Sequence, residues 1–329
     1  MFQEKLNDIE HLSSGQDLGE WVVSQCTEWR NHYTSNFEDL HDEYYRLWRG
    51  KWAESDKTRE SERCRLIAPA LQQAVESSVA EIEAATFQGD KLFDMKDDVQ
   101  DQDPRDVAFL REKLHEDFDL AQVRPSIGEV LLNAAVFGTG IAEMVVEDHT
   151  ELVPATQQLD EVHQEFGVTQ KQRPLVKLIP VQPRNFLIDP SATSIDDALG
   201  VAIEEFVPLH KVEILQEQGV YRDEFIQTDP ADMDLEVDLT LVDQPADRVK
   251  VIRYYGLVPR ELLLDQGVDE MELKTDSAYQ EAVVVVANGG TVLKASVNPY
   301  MTQDRPVVGF AWDTVPGRFW GRGVCEKGY

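Results

Sequence analysis

Glu204-Glu205 and Asp196-Asp197 are adjacent carboxylates, the residue type that serves as general acid and general base when environment separates two protonation equilibria. Composition alone produces such pairs, since 62 of 329 residues are acidic. Neither pair stands in an arrangement that orients one group as acid and the other as base. The seven histidines, at positions 11, 32, 41, 115, 149, 163 and 210, are scattered. No two sit four apart around a glutamate, as a zinc-protease helix requires. Gly-x-Ser-x-Gly is absent, so there is no strained nucleophile turn of the α/β-hydrolase kind. No glycine is followed by Lys-Ser or Lys-Thr, the pair that reaches phosphate and magnesium in a Walker loop.

Other candidates also read as architecture. Gly138-Thr139-Gly140 lacks the third glycine of a dinucleotide loop, because Glu143 holds that place, and it follows a helix where the motif needs a strand. It reads as a helix stop that admits close packing of the next strand. Gly317-Arg318-Phe319-Trp320-Gly321-Arg322-Gly323 has the composition of a phosphate loop but reads as a tight aromatic turn. The acidic run between Asp90 and Asp103 and the one from Asp229 to Asp238 do not supply both the sixth-position glycine and the twelfth-position glutamate of a calcium loop. Cys26, Cys64 and Cys325 are odd in number, widely spaced and never paired as C-x-x-C, which predicts buried free thiols. No catalytic, cofactor-binding or metal-binding residue is assigned.

Charge narrows the partners. The chain carries a net charge of -31, and a field of that sign repels phosphate. Sequence-independent binding of nucleic acid through a broad basic face is therefore excluded as an expectation. The stretch from Arg46 to Arg65 departs from the rest: Arg46, Arg49, Lys51, Lys57, Arg59, Arg63 and Arg65 outnumber Glu54, Asp56, Glu60 and Glu62. Trp48 and Trp52 lie inside it, and aromatics among cations can stack on bases. The reading preferred here is a basic connector that docks on an acidic neighbour. Mean hydropathy is -0.38, and no run approaches the roughly 20 apolar residues that cross a membrane. The opening MFQEKLNDIEHL has no basic region leading into an apolar one, so the expected compartment is cytosolic or its equivalent.

The elements follow from periodicity. Leu18, Trp21, Val22, Cys26, Trp29, Tyr33, Phe37, Leu40, Tyr44 and Leu47 recur every three or four positions and predict one long amphipathic helix from Asp17 to Trp48. A second helix is expected from Pro69 to Phe87 with Leu71, Ala74, Val75, Val79 and Ile82 on its buried side. Others are expected over Pro104 to Leu120 and Arg124 to Phe137, separated at Pro125. Beyond Gly140 strands dominate: Ile141 to Val146, Leu175 to Ile179, Gly200 to Val207, Val249 to Gly256, Ala282 to Ala287, Thr291 to Ala295 and Val307 to Trp312. Thr150 to Arg173 reads as a polar insertion between the first two. Asn288-Gly289-Gly290 marks a hairpin. Short helices are expected at Leu209 to Gln218 and Pro259 to Leu264. The fold class is α+β: N-terminal long helices, then a mostly antiparallel β-rich region. The divisions expected are residues 1–65, 66–140 and 141–329.

Two stretches resemble a known family. Val136-Phe137-Gly138-Thr139-Gly140, a strand, and then Ile179-Pro180-Val181-Gln182-Pro183-Arg184-Asn185-Phe186-Leu187-Ile188-Asp189-Pro190 are similar to portal proteins of tailed double-stranded DNA bacteriophages, particularly the large podovirus-type portals. Arg65 to Phe87 looks like the helix such portals carry before an acidic loop. Phe319 to Tyr329 is similar to the junction that leads into their central helices. The resemblance implies a homo-oligomeric ring, usually of twelve subunits, at one capsid vertex. It also implies terminase, tail adaptor and capsid proteins as partners, and double-stranded DNA passing through without sequence-specific binding. The location implied is the virion, and the host cytoplasm during assembly. This chain would form the wing, with stem, clip and crown expected beyond residue 329. No cofactor and no membrane association are implied. Arg59, Arg63 and Arg65 become the candidate subunit interface, whose joint change to glutamate should weaken association in a salt-dependent way. Gly138, Gly140, Pro183, Asp189 and Pro190 become structural turns. The competing readings are another phage head-to-tail assembly factor, or an acidic intracellular enzyme without a recognisable motif.

Overall fold

The computed structural model describes residues 17–52, 69–87, 93, 104–158, 164–226, 248–273, 277–300 and 303–327. Helix α1 (Leu18–Tyr33) begins after Asp17, whose backbone is extended, and buries Leu18, Trp21, Val22, Cys26 and Trp29 along one face. Each fully buried aliphatic side chain contributes roughly 1.5–3 kcal/mol. The predicted single helix to Trp48 is interrupted. Thr34–Glu38 form a π turn before α2 (Asp39–Trp48). The i→i+5 bonding shifts the helical phase. Tyr33, Phe37 and His41, each four positions from the next, lie together with ring centroids 5.6 to 6.3 Å apart, while Leu40 of the predicted stripe is left exposed.

Helix α3 (Ala70–Thr86) has a narrower buried side than expected: Val75 and Val79 are buried, whereas Ala74 and Ile82 are exposed. Helix α4 (Pro104–Leu120) lies at the expected place. The break before α5 (Val123–Phe137) is made by Gln122 in the left-handed conformation. Pro125 sits inside the first turn of α5, where its missing N–H has no helical partner to lose.

The β-rich part is antiparallel throughout the described residues and forms two sheets. Strands β1 (Thr139–Gln158) and β2 (Gln164–Val181) form a long hairpin, joined by β8 (Val307–Ala311) in the order β2-β1-β8. Thr150 to Arg173 is therefore largely the distal hairpin and not a separate insertion, with His149 opposite Arg173 and Val153 opposite Thr169. Periodicity missed it for a physical reason: Leu152 and Val168 are 65% and 69% exposed, so no buried face imposes alternation.

The second sheet runs β3 (Phe186–Ile188), β4 (Gly200–Pro208), β5 (Arg248–Pro259), β6 (Tyr279–Ala287) and β7 (Thr291–Val297). The short helices α6 (Leu209–Glu217) and α7 (Arg260–Asp265) follow β4 and β5. The β6–β7 turn uses Asn288 and Gly289 at positive φ, as their types predict. Helix α1 lies on this sheet, where Trp21 meets Tyr254 edge-on and Trp29 stacks on it, both at 5.9 Å. Gly19 is buried there, and the position requires glycine because any Cβ would collide with the Gly290 carbonyl. Helix α8 (Val324–Lys327) closes a separate core with Tyr44, Val75, Val79, Leu131 and Ala135. Among the described residues no helix is long and apolar enough to cross a membrane.

Candidate functional site: the glycine joint and the pocket beside it

Gly138 ends α5 with φ 93°, its N–H donating to the Ala134 carbonyl at 2.8 Å. A Cβ there would lie 2.3 Å from the Gly321 carbonyl oxygen, and one on Gly140 would lie 2.6 Å from the Val130 oxygen. The contact is reciprocal: Cβ atoms on Gly321 and Gly323 would strike the Gly138 and Ala135 oxygens at 2.5 and 2.6 Å. The Gly321 N–H donates to Thr139 Oγ1, and the Trp312 N–H to the Gly138 carbonyl, both at 2.9 Å. Two glycine-bearing stretches, 182 residues apart at the Gly321–Thr139 bond, thus cross backbone on backbone. The helix stop reads correctly from sequence. Gly321 and Gly323 are there for close approach, and only Gly317 takes the positive φ of a turn.

The loop carries no free phosphate cradle. Arg318 lies over the Phe37 ring, and Arg322 pairs with Asp313 at 3.1 Å. Trp320 is buried among Tyr33, Phe37, His41 and Phe319, with centroids 5.3 to 5.7 Å away. The Tyr33 hydroxyl and His41 Nδ1 share a hydrogen bond of 2.8 Å. Burial, reinforced by the positive Arg318 and Arg184, lowers His41 to about 4, so it is neutral near pH 7. It serves here as an aromatic wall.

Of the predicted turns, Pro183 opens a 3-10 turn (Pro183–Asn185), and Asp189 is buried, its carboxylate accepting from the Ser191 N–H at 2.9 Å and hydroxyl at 2.7 Å. Pro190 follows it in the turn before Ala192, whose N–H reaches the Asp189 carbonyl at 3.0 Å. The strand β3 between these turns was not foreseen, since three residues carry too little pattern.

One of the two carboxylate pairs, Glu204-Glu205, is engaged structurally. Glu204 pairs with Arg30 and lies 3.4 Å from Lys250, and Glu205 pairs with Arg253 at 2.8 Å. Asp196 and Asp197 are exposed. The buried charge that sequence reasoning missed is Glu143, 1% exposed, which accepts from Arg253 Nε and Nη2 at 3.0 and 2.8 Å and from the Tyr255 hydroxyl at 2.7 Å. Local pattern gave no signal for it, since positions 139 to 143 are all buried and do not alternate. Burial disfavours the Arg253 charge, but Glu143 and then Glu205 raise its proton affinity above the ordinary value. Cys26 and Cys325 are buried free thiols as expected. Among the described residues no three histidine, cysteine or acidic side chains gather closely enough to hold a metal ion.

Beside the joint, α1, α2, α5 and the 3-10 turn enclose an open cavity of about 580 Å³, with Tyr45, Trp48 and Phe137 in its wall. Arg46, Arg49, Lys51 and Arg184 line it against two acids, Asp42 and Glu129, in a chain whose composition runs the other way. Arg184 is paired with Asp42 and Arg46 with Glu43. Arg49 lies over Tyr45 and Trp48, 6.0 and 5.9 Å from their centroids, and has no ion pair among the described residues. This cavity is the described half of the basic stretch. Arg59, Arg63 and Arg65 lie outside the described residues, as do Cys64 and the acidic runs Asp94–Asp103 and Asp229–Asp238. No protein-family model matches the chain, and no curated protein matches it.

Proposed function

We propose that this chain is a structural, ring-forming subunit of the portal kind, the wing of a conduit through which a tailed phage packages and ejects double-stranded DNA. The observation that carries the reading is the joint. Helix α5, the glycine stop and β1 are followed by the proline-led turn ending at Asp189-Pro190, and Phe319 to Lys327 returns across Gly138 into a helical turn against the first helices. The resemblance assigns that place to the passage from wing to central helices. The net charge of -31 supports it, because a conduit must let the duplex slide without adhering. The acids best suited to catalysis are tied up in ion pairs between elements, which also favours a structural role. Terminase and tail adaptor are the partners that this reading calls for, with no cofactor.

Negative-stain imaging of the purified protein tests it. Rings with a central channel are the expected result. Compact monomers under every assembly condition overturn it.

A further inference from the structure

Two unlike surfaces of this chain complement each other. The first is the basic, aromatic cavity, whose lining holds four cations and two acids. The second is the outer face of α4. That helix docks on the body through Phe118 and His115, both in contact with the Phe93 ring at 5.3 and 4.6 Å, and through Asp117, which pairs with Arg173 at 3.0 Å. Among the described residues its most exposed large apolar side chain is Phe109, 67% exposed, with Leu110 beside it at 50%. Phe109 and Leu120 are three turns apart and line up on the side away from Phe118. Five acids against three bases give α4 the charge sign opposite to that of the cavity.

We propose that α4 of one copy inserts Phe109 into the cavity of a second copy, with its acidic flank against Arg49. Phe109 does not line its own cavity, so the contact is between different patches of two molecules. Such heterologous contacts propagate head to tail and close into rings when the rotation permits. An exposed aromatic entering an aromatic pocket supplies an anchor, and opposite charge around it fixes orientation. Arg49 is the cation to engage, because its guanidinium lies over Tyr45 and Trp48 without an acidic partner among the described residues. The inference deepens the ring reading and rests on it for the choice of a second copy as occupant.

The test uses Phe109→Asp and Arg49→Glu, two changes at exposed positions, with matched thermal melts as the check on folding. Association measured by sedimentation velocity should weaken at least tenfold in each variant alone. An equimolar mixture should then give dimers and nothing larger, because F109D keeps an intact cavity and R49E keeps an intact helix. Wild-type association by both variants, or a mixture that behaves as the sum of its parts, overturns the contact. Rings formed by the wild type and by both variants would overturn the contact while leaving the ring reading in place. A wild type that never associates overturns both.

Discussion

Glu143 and Arg253 join the two sheets: a carboxylate on β1 of the three-stranded sheet accepts two hydrogen bonds from a guanidinium on β5 of the five-stranded one. Tyr255, two residues along β5, adds a third at 2.7 Å. The carboxylate is closed off from solvent, so its charge depends on these donors.

Arg253→Met should destabilise the protein by roughly 3–5 kcal/mol, because it leaves Glu143 buried without a countercharge. Adding Glu143→Leu should recover a large part of that loss. Urea unfolding of both single variants and the double variant measures the coupling, and independent, additive effects would count against a shared buried pair.

His41 makes stability depend on acid. Its pKa is about 4 in the folded chain against 6.5 for the ordinary imidazole, so below 6.5 the unfolded chain takes up a proton that the folded chain refuses. The contribution of neutral His41 is complete above pH 6.5, falls as pH drops through the window from 6.5 to about 4, and amounts to about 3 kcal/mol. Tyr33, Tyr44, Arg184 and Arg318 surround or act on the ring. Comparing unfolding midpoints of wild type and His41→Phe at pH 7 and pH 5 isolates this component. Parallel pH profiles would show that His41 does not supply it.

Gly138→Ala and Gly219→Ala separate strain from collision. Both glycines have positive φ, but nothing lies within 4 Å of a Cβ on Gly219, whereas the Gly321 carbonyl lies 2.3 Å from one on Gly138. The first cost is conformational, about 1–2 kcal/mol. At Gly138 the backbone clash adds roughly 1–3 kcal/mol more. Thermal melts that rank the two variants equally would refute the close crossing. Valine at both Gly138 and Gly140 should prevent folding altogether.

Cys26 and Cys325 should resist alkylation in the native protein. Burial, with Glu204 beside it, pushes the Cys26 thiol far up, and burial raises Cys325 to about 11. Since the thiolate is the nucleophile, about one in a thousand Cys325 groups is reactive at pH 8. In a Cys64→Ser background, thiol titration should release no rapid signal until guanidinium is added, and then two equivalents. Rapid stoichiometric modification of the folded chain would contradict this burial.

Element types were legible wherever one face is buried. The apolar residues from Leu18 to Trp29 recur with the period of a helix because the core accepts apolar atoms on one side only, whereas Val249 to Gly256, buried on both faces, reads as a strand through its β-branched and aromatic residues. Gly138 announced a helix stop through its freedom at positive φ, and Asn288-Gly289 a hairpin for the same reason. Charge, likewise a sum over residues, was fully determined, and with it the unsuitability of the surface for a broad phosphate contact. What tertiary structure decided are relations between distant positions. The crossing of Gly321 over Gly138, the pairing of buried Glu143 with Arg253, and the cavity that collects Arg49 with Arg184 each join residues whose separation leaves no local pattern. Periodicity records which side of an element is dry; it does not record which other element makes it so.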